Sequence, residues 1–516
     1  MLHHHDPRGS SVRGVLEYRA RTSPAADFLI APETGRRLSF GNLLRRSRAL
    51  ASFLAEQGID AGAHVGLLLA NGLQATRLFV GLAAGGHVPV PLSLIAQPAQ
   101  LAFIFGHADC RAVFVDPARE KALRAALASV VRCVRVFVVD PDQAFLPGEP
   151  VAASWPAPEP AADAPALLMY TSGTTGQPKG VLLSHRNVLA GARFVSEAHG
   201  LDGSDRVLAV LPLYHINAQI VTVLAPLYHG GSLVMPRRFS AAAFWRLAAE
   251  HRCTWLNVVP TIIAYLLQHD EGKTGVFGAC RLRFCRSASA PLPPTHQRAF
   301  EERFAVGVIE TMGLTETAAP VFANPLDRSA RKLGSPGRAF GNEARVIDPD
   351  GGAERRIGVT GEIVVRGENV MAAYYKAPEE TDRAFTADGW FRTGDLGYCD
   401  EDGFFFITGR RKELIIKGGE NISPREIDEV LLAHPLVLEA AAVGVPDPLY
   451  GQEIVAGVVM KPGEVGDEID LIDFCRHRLG RFKTPQRIVL LDELPKGPSG
   501  KVQRLRLSNL IADGGR

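Results

Sequence analysis

The amino-acid sequence predicts an α/β protein made of a large, multi-layer N-terminal domain (residues 1–410) and a small C-terminal α+β domain (residues 411–516). The chain has 516 residues, more than one hydrophobic core ordinarily supports, so at least two domains are expected. Short apolar runs alternate with amphipathic helical patterns through most of the chain, which indicates layers built on largely parallel sheets. The last part of the chain has its own helix and strands, as a separate small domain does.

The first part of the chain illustrates this alternation. Ser39 is a predicted N-cap that precedes apolar residues at helical spacing, and Gly58 is the predicted stop of that helix. Continuous apolar runs at residues 65–70, 112–115 and 136–139 predict buried strands. Together these elements predict a sheet with helices packed against its faces.

The middle and the end of the chain continue the pattern. Residues 147–165 are rich in proline and alanine and predict a surface linker that leads into a strand at 166–170. In the small domain we expect a helix at 424–432 and strands at 439–443 and 454–459. No repeat of solenoid or propeller period is present.

Composition excludes several classes of protein. Hydrophobic residues make up 46% of the chain and charged residues 22%, and the formal net charge is +2. This balance provides no electrostatic reason to expect a nucleic acid or an anionic membrane as partner. Anionic small molecules would therefore be bound by local arrangements of charge.

Cysteine usage and apolar patterning predict a cytoplasmic protein. The seven cysteines include no C-x-x-C pair, which favours reduced thiols over a disulfide framework or a metal site. The first six residues contain no apolar run typical of a signal peptide. The most apolar stretch, residues 79–105, is interrupted by glycine and proline. A bilayer-spanning helix needs about 20 uninterrupted apolar residues, so no membrane span is expected.

A loop rich in glycine and hydroxyl side chains carries most information about function. The run from Tyr170 to Gly180 reads YTSGTTGQPKG and directly follows a predicted buried strand. Glycines let backbone N–H groups approach phosphate oxygens, hydroxyls add donors, and Lys179 supplies charge. The loop is not a P-loop, because Gly176 is followed by Gln177 and Pro178 instead of Lys and Ser or Thr. It predicts a phosphate-binding loop of another kind.

Seven companion segments follow this loop in order along the chain. They are LPLYHIN at 211–217, SASAPL at 287–292, TMGLTE at 311–316, TGDLG at 393–397, GRRK at 409–412, GGENI at 418–422 and PSGKVQR at 498–504. With the loop, they resemble the signature of the adenylate-forming superfamily, which includes acyl-CoA synthetases, adenylation domains and beetle luciferases. The resemblance covers roughly residues 15 to 510. It implies an acyl-CoA synthetase-like fold with a mobile small domain.

The resemblance implies which residues bind ATP, Mg²⁺ and the thiol of coenzyme A. Those implied at the nucleotide are Thr171, Ser172, Gly173, Thr174, Thr175, Gly176, Lys179, Ala288, Ser289, Thr311, Met312, Thr315, Asp395 and Arg410. Gly418 and Gly419 would line the approach of the thiol, and Lys412 would be the hinge of the small domain.

The implied catalytic groups serve to bring two anions together. Glu316 would hold Mg²⁺ with Thr171, and His215 would lie beside the reacting carboxylate. Lys179 and Lys501 would neutralise phosphate charge, with Lys501 entering the site only during adenylation. One departure from the family is Met312, where relatives carry an aromatic residue against the adenine; methionine still offers a polarizable face.

The resemblance implies an ATP-dependent carboxylic acid:CoA ligase that works as a monomer or homodimer. Residues 444–447 (GVPD) and 451–453 (GQE) resemble free-standing CoA ligases. Alternatives are a ligase that loads a carrier protein, a luciferase-like oxygenase and an inactive nucleotide-binding regulator. The joint presence of the implied catalytic residues disfavours the last of these.

The acid substrate is expected to be small and to carry a second anionic group. The segments at 238–245, 253–255 and 259–262 resemble the branch that contains oxalate:CoA ligases. In that branch a histidine follows the T-E pair by three residues, whereas Ala319 stands here, which disfavours oxalate itself. A small acid bearing a carboxylate or sulfonate is the prediction, and a medium-chain or aryl acid is the alternative.

Overall fold

The computed structural model describes residues 9–171, 178–269, 280–497 and 502–513. Up to Arg410 the strands are β1 Asp27–Ala31, β2 Arg36–Ser39, β3 His64–Leu68, β4 Val88–Pro91, β5 Ala112–Val115, β6 Arg135–Val138, β7 Pro165–Thr171, β8 Lys179–Ser184, β9 Arg206–Ala209, β10 Ser232–Val234, β11 Trp255–Val258, β12 Phe284–Ser287, β13 Val308–Leu314, β14 Ala319–Ala323, β15 Arg338–Ala339, β16 Glu343–Ile347, β17 Gly361–Arg366, β18 Ala373–Tyr374, β19 Phe391–Cys399 and β20 Phe405–Arg410.

The helices pack against these strands. In the large domain they are α1 Val12–Thr22, α2 Phe40–Glu56, α3 Leu73–Ala84, α4 Pro98–His107, α5 Pro117–Leu127, α6 His185–Ala198, α7 Ala225–His229, α8 Ala241–Glu250, α9 Pro260–Gln268, α10 Pro294–Phe304 and α11 Pro378–Ala384. A π-helix, Asn217–Leu224, runs directly into α7. No helix in the described ranges is both long and apolar enough to cross a membrane.

Two sheets with parallel pairing form the framework of the large domain. The larger has nine strands in the order β15-β14-β13-β12-β11-β9-β10-β1-β2, and the smaller has the order β4-β3-β5-β6. The smaller sheet is parallel throughout, as are the six central strands of the larger one. The predicted layers on largely parallel sheets are confirmed. In such sheets, ligands bind beyond the carboxyl ends of the strands.

Local sequence signals explain where these elements begin and end. The hydroxyl of Ser39 accepts a hydrogen bond from the backbone N–H of Asn42 at 3.3 Å and caps α2, and Gly58 adopts a φ of +70° just beyond it. The apolar run at 112–115 is β5, and all four of its residues are buried. No disulfide bond joins any of the seven cysteines, all of which lie in the described ranges.

The chain after Arg410 forms a sheet of its own. Its strands are β21 Ile415–Lys417, β22 Glu420–Ile422, β23 Val437–Asp447, β24 Gly451–Met460 and β25 Arg487–Leu490, and its helices are α12 Pro424–Leu432, α13 Glu468–Lys483 and α14 Arg504–Asp513. The predicted helix at 424–432 is confirmed. The two predicted strands are longer than expected and pair antiparallel as β23 and β24.

Residues 147–164 of the predicted linker have no regular secondary structure, whereas Pro165 already begins β7. The side chain of Glu149 in this linker is buried. Glu149 lies against α3, where its Oε1 accepts a hydrogen bond from Nη1 of Arg77 at 2.6 Å. Burial lowers the pKa of Arg77, and the Glu149 carboxylate opposes that effect. A buried ion pair therefore fastens this segment to the first helical layer.

Breaking this pair is expected to cost far more than breaking an exposed one. Glu149→Gln would leave the buried guanidinium of Arg77 without its counterion and lower the stability by about 3 kcal/mol. The matched control is Asp163→Asn, because Asp163 pairs with Arg186 at 2.7 Å on the surface and such pairs contribute at most about 1 kcal/mol. Thermal unfolding of both variants tests this, and equal midpoints for the two would contradict it.

Candidate functional site

The two ends of the glycine-rich loop face each other across a hairpin. Thr171 ends β7 and Lys179 begins β8, and the two residues are partners in the antiparallel ladder. The backbone N–H of Tyr375 donates to the carbonyl oxygen of Gly180 at 2.7 Å, so β18 lies beside the base of the loop. The remaining loop residues of the prediction lie outside the described residues; they are Ser172, Gly173, Thr174, Thr175 and Gly176.

A short 3₁₀ turn, Thr315–Thr317, carries Glu316 at the end of β13. The backbone N–H of Met371 donates to the carbonyl oxygen of Glu316 at 2.7 Å. The buried amide of Asn369 donates to the carbonyl oxygens of Thr317 and Pro320 at 2.9 and 2.7 Å. Because its backbone is held from two directions, this turn places the Glu316 carboxylate at a defined position.

Tyr374 joins Glu316 to Lys179. Its hydroxyl donates to Oε1 of Glu316 at 3.0 Å, and Nζ of Lys179 lies 5.4 Å from the centroid of its ring. Burial, followed by the nearby Glu316 carboxylate, raises the pKa of Tyr374, so the phenol remains a neutral donor. The sequence analysis missed Tyr374, although a tyrosine just after the N-x-M run at 369–371 was a visible signal.

The carboxylate of Glu316 has the surroundings of a ligand to a divalent cation. Oε1 of Glu316 accepts from Tyr374, and Oε2 has no hydrogen-bond partner among the described residues. A carboxylate oxygen is the hard ligand that Mg²⁺ prefers, and phosphate oxygens usually complete its shell. No cluster of three or more His, Cys, Asp or Glu side chains suited to a metal occurs in the described ranges. The arrangement fits an ion bound jointly by one carboxylate and a nucleotide.

Asp395 and Arg410 form a second charged pair at the end of the large domain. They are partners in the ladder of β19 and β20, and Nε of Arg410 donates to Oδ1 of Asp395 at 2.8 Å. The Asp395 carboxylate is the main cause of the raised pKa of Arg410, to which Glu316 also contributes. The structure therefore brings the ribose residue of the prediction near the metal residue.

The segment predicted to face the adenine is a turn after β12. Ser289 has a φ of +74°, which is unusual for a residue with a side chain. The backbone N–H of Ala288 donates to the carbonyl oxygen of Val258 at 3.3 Å. The hydroxyl of Thr311 donates to the carbonyl oxygen of Ser287 at 3.4 Å. The turn is thereby fastened to both neighbouring strands. Met312, the residue that departs from the family, is half-buried beside it.

The segment with His215 leads into the π-helix. The backbone N–H of His215 donates to the carbonyl oxygen of Pro212 at 3.0 Å, and its ring centroid lies 4.5 Å from that of Tyr214. Two residues later, Nδ2 of Asn217 donates to the hydroxyl of Ser289 at 3.0 Å. The predicted acid-binding and adenine-binding segments are therefore in contact.

A buried polar group that the sequence analysis missed lies behind this contact. Nη1 of Arg286 donates to Oδ1 of Asn257 at 2.9 Å and to Oδ1 of Asn217 at 3.1 Å. Nδ2 of Asn257 also donates to Oδ1 of Asn217, at 3.1 Å. All four residues of β12 are buried, and a charged residue directly before the SASAPL segment was the signal that could have revealed it.

The predicted hinge residue directly follows the last strand of the large domain, and the residues predicted to line the thiol approach lie a few positions later. Lys412 belongs to a 3₁₀ turn, Arg411–Glu413, directly after β20. Gly418 and Gly419 form the turn between β21 and β22, with φ values of +58° and +84°. Lys501 lies outside the described residues.

The chain is similar to known proteins over nearly its whole length. Models of the AMP-binding enzyme and of its C-terminal domain match residues 16–375 and 426–501. Sulfoacetate–CoA ligase from Cupriavidus necator is 56% identical over 97% of both chains. Oxalate–CoA ligase from Arabidopsis thaliana is 34% identical over 89% of this chain and 90% of the relative. The structure of ATP-bound MatB from Rhodopseudomonas palustris superposes with a TM-score of 0.90 and 30% identity, covering 98% of this chain and 100% of that one.

Gly313 is expected to be essential to the geometry of the Glu316 turn. A Cβ atom at Gly313 would lie 1.3 Å from the carbonyl oxygen of Ala319 in β14. Gly313→Ala would therefore push β13 and β14 apart and lower the stability by about 3 kcal/mol or more. The matched control is Gly106→Ala in α4, where nothing lies within 4 Å. Thermal unfolding and ATP titration check this, and a Gly313→Ala protein with unchanged midpoint and ATP affinity would contradict it.

Proposed function

Because the chain belongs to the AMP-binding enzyme family, we propose that it is an ATP-dependent acid:CoA ligase for a small acid with a second anionic group. Sulfoacetate is the first candidate. The observation that carries this proposal is the 56% identity to a sulfoacetate–CoA ligase over 97% of both chains. Lys179, Glu316 and the Asp395–Arg410 pair come from three different sheets, and Tyr374 connects the first two. This arrangement supports the nucleotide chemistry.

The first half-reaction joins the acid to the α-phosphorus of ATP. A carboxylate oxygen forms the new bond to phosphorus, and the bond from the α-phosphorus to the bridging oxygen breaks as pyrophosphate leaves. Two anions have to approach each other, so the protein's task is positioning and neutralisation of charge. Thr171 and Lys179 stand at the base of the loop that would receive the phosphates, and His215 would orient the carboxylate. Thr315 lies beside Glu316 and would contact the α-phosphate.

Mg²⁺ bound at Glu316 would draw charge from the phosphate oxygens and complete its shell with them. The rest of the nucleotide meets the chain's own groups. The Asp395 carboxylate would accept both ribose hydroxyls, with Arg410 holding that carboxylate in place. Ala288 and Ser289 would form one wall of the adenine site, and Thr311 and Met312 would form the other.

The second half-reaction transfers the acyl group to coenzyme A. The thiol sulfur attacks the carbonyl carbon of the mixed anhydride, the bond from that carbon to the phosphate oxygen breaks, and AMP leaves. The thiol proton passes to solvent. We place the domain boundary between Arg410 and Arg411 and the hinge at Lys412, so rotation withdraws Lys501 and exposes Gly418 and Gly419 to the thiol.

We place the enzyme in the cytoplasm, as a monomer or homodimer. The seven cysteines, none of which is in a disulfide, fit a reducing compartment. A carrier protein in place of coenzyme A, or a medium-chain or aryl acid in place of a small one, are the competing functions. No described feature of the site favours either of them.

Release of AMP from a panel of acids tests the function directly. We expect AMP to form from sulfoacetate only when coenzyme A is present, and the amount of AMP should equal the amount of acyl-CoA formed. Malonate, oxalate, octanoate and benzoate are the comparison acids. AMP formation that proceeds without coenzyme A but needs an acyl carrier protein would contradict coenzyme A as the acceptor. A preference for octanoate or benzoate would contradict a small acid with a second anionic group as the substrate.

Lys501→Ala separates the two half-reactions. Loss of a group that stabilises developing charge typically lowers a rate by about 100-fold or more, so pyrophosphate exchange should fall by at least that factor. Thioester formation from a supplied acyl-adenylate should remain near the wild-type rate. Lys461→Ala is the matched control, because Lys461 is an exposed lysine of the same domain whose Nζ donates to the backbone carbonyl of Pro435. Equal loss of both half-reactions in Lys501→Ala would contradict the assigned role.

A further inference from the structure

Arg286 is a fully enclosed cation with no acidic partner in the described part of the chain. It stands in the middle of the nine-stranded sheet, on β12, and only 2% of its surface is exposed. Its Nη1 donates to two amide oxygens, Oδ1 of Asn217 and Oδ1 of Asn257. Its Nε has no hydrogen-bond partner among the described residues. By contrast, the buried guanidinium of Arg77 is balanced by Glu149.

An isolated buried charge is costly, and buried charges in proteins are usually paired. Burial lowers the pKa of Arg286 to about 9, which still leaves it protonated near neutral pH. The buried His199 does not balance this charge, because burial and the charge of Arg286 lower the pKa of His199 to about 3. Among the described residues, the guanidinium of Arg286 therefore meets two amide oxygens and no carboxylate.

The location of this charge connects it to the acid. Asn217 follows His215 by two residues, and its Nδ2 donates to the hydroxyl of Ser289 in the predicted adenine turn. Arg286 and Asn257 are partners in the parallel ladder of β11 and β12, and so share one face of the sheet. The guanidinium lies behind the contact between the predicted acid-binding segment and the predicted adenine turn.

Aromatic side chains cover one side of Arg286 on that face. Trp255 and Phe284 are partners two positions earlier in the same ladder, and their rings stack with centroids 5.7 Å apart. Both are fully buried. The side of Arg286 away from the carboxyl ends of the strands is thus apolar, and a partner for its unused donors would have to come from the substrate side.

We propose that Arg286, oriented by Asn217 and Asn257, binds the second anionic group of the acid at the floor of the pocket that would hold the acid beside His215. This inference rests on the proposed function and adds the residue that selects the substrate class. The guanidinium is planar and carries five donors, which suits the oxygens of a sulfonate or a carboxylate. The hydroxyl of Ser289 lies one hydrogen bond beyond Asn217 and provides a neutral neighbour. The acid's two charges are thereby held at opposite ends of the pocket.

The same arrangement rejects acids with one charge. An alkyl or aryl tail at the floor of the pocket would press against a cation whose donors stay unpaired, and sites built to bond a polar group strongly disfavour analogues that lack it. A matched pair of acids isolates this effect. Sulfoacetate and 3,3-dimethylbutanoate have similar shape, because three methyl groups on carbon replace three oxygens on sulfur.

Arg286→Met removes the charge and keeps most of the volume. We expect kcat/KM for sulfoacetate to fall by about 100-fold or more, the usual consequence of deleting one partner of a buried charge pair. The value for 3,3-dimethylbutanoate should stay constant or rise, so that the preference reverses. ATP titration shows whether the variant is folded. A fall by the same factor for both acids would overturn the inference.

Asn257→Asp keeps the shape of the pocket and supplies Arg286 with an internal counterion. The new carboxylate would compete with the substrate anion and repel it, so KM for sulfoacetate should rise by about tenfold or more. KM for 3,3-dimethylbutanoate should not rise. Unchanged KM for sulfoacetate in this isosteric variant would overturn the inference even if Arg286→Met fails to fold.

Arg283→Met is the matched control. Arg283 pairs with Asp205 at 2.6 Å near the surface, only three residues from Arg286, and its loss should leave the ratio of kcat/KM for the two acids unchanged. A changed ratio would mean that any disturbance of β12 alters selectivity, which also overturns the inference. If the wild-type enzyme prefers 3,3-dimethylbutanoate, the proposed substrate class fails. If it prefers sulfoacetate and the variants keep that preference, only the role of Arg286 fails.

Discussion

The parallel pairing of β11, β12 and β13 is the constraint on which the rest of the site depends. In-register pairing brings the carboxyl ends of the three strands to one edge of the nine-stranded sheet. Beyond that edge lie the predicted adenine turn and, after β13, the 3₁₀ turn with Glu316. Because the same strands form the apolar core, the positions of the polar groups are as rigid as the core itself. The site is therefore placed by packing, and its loops only complete it.

Charge in this protein is organised locally, as the net charge of +2 requires. Arg410 is held by Asp395, and Lys179 lies against the ring of Tyr374, whose hydroxyl reaches Glu316. Each of these cations has a partner before any substrate arrives. Arg286 differs, since in the described part of the chain its hydrogen bonds are to amide oxygens. A cation that already has a partner can position a neutral group or a group that it shares with that partner. A cation without a counterion instead favours the binding of an anion.

Much of the fold could be predicted from the sequence because its signals are local. A cap at Ser39, apolar runs of strand length and the helix at 424–432 each depend on a few neighbouring residues. The loop ends at Thr171 and Lys179 could be located in the same way. Arg286 could not be assigned, because its meaning depends on Asn257 in the adjacent strand. Such a partnership arises only from the register of distant segments, which periodicity within one segment does not contain.

Because Arg286 lies on a strand, its charge has a fixed position, and this affects which acids are selected. A positive group on a flexible loop could follow substrates of different length, whereas Arg286 is held by β12 and by two asparagine side chains. Preorganised groups on rigid elements act at a fixed distance from the reacting centre. The pocket would then select acids by the distance between their two charges as well as by the number of charges. Oxalate, whose carboxylates are directly bonded, is shorter than an acid with an intervening methylene. Ala319, buried near the Glu316 turn, provides no second cation that could compensate for that shorter reach.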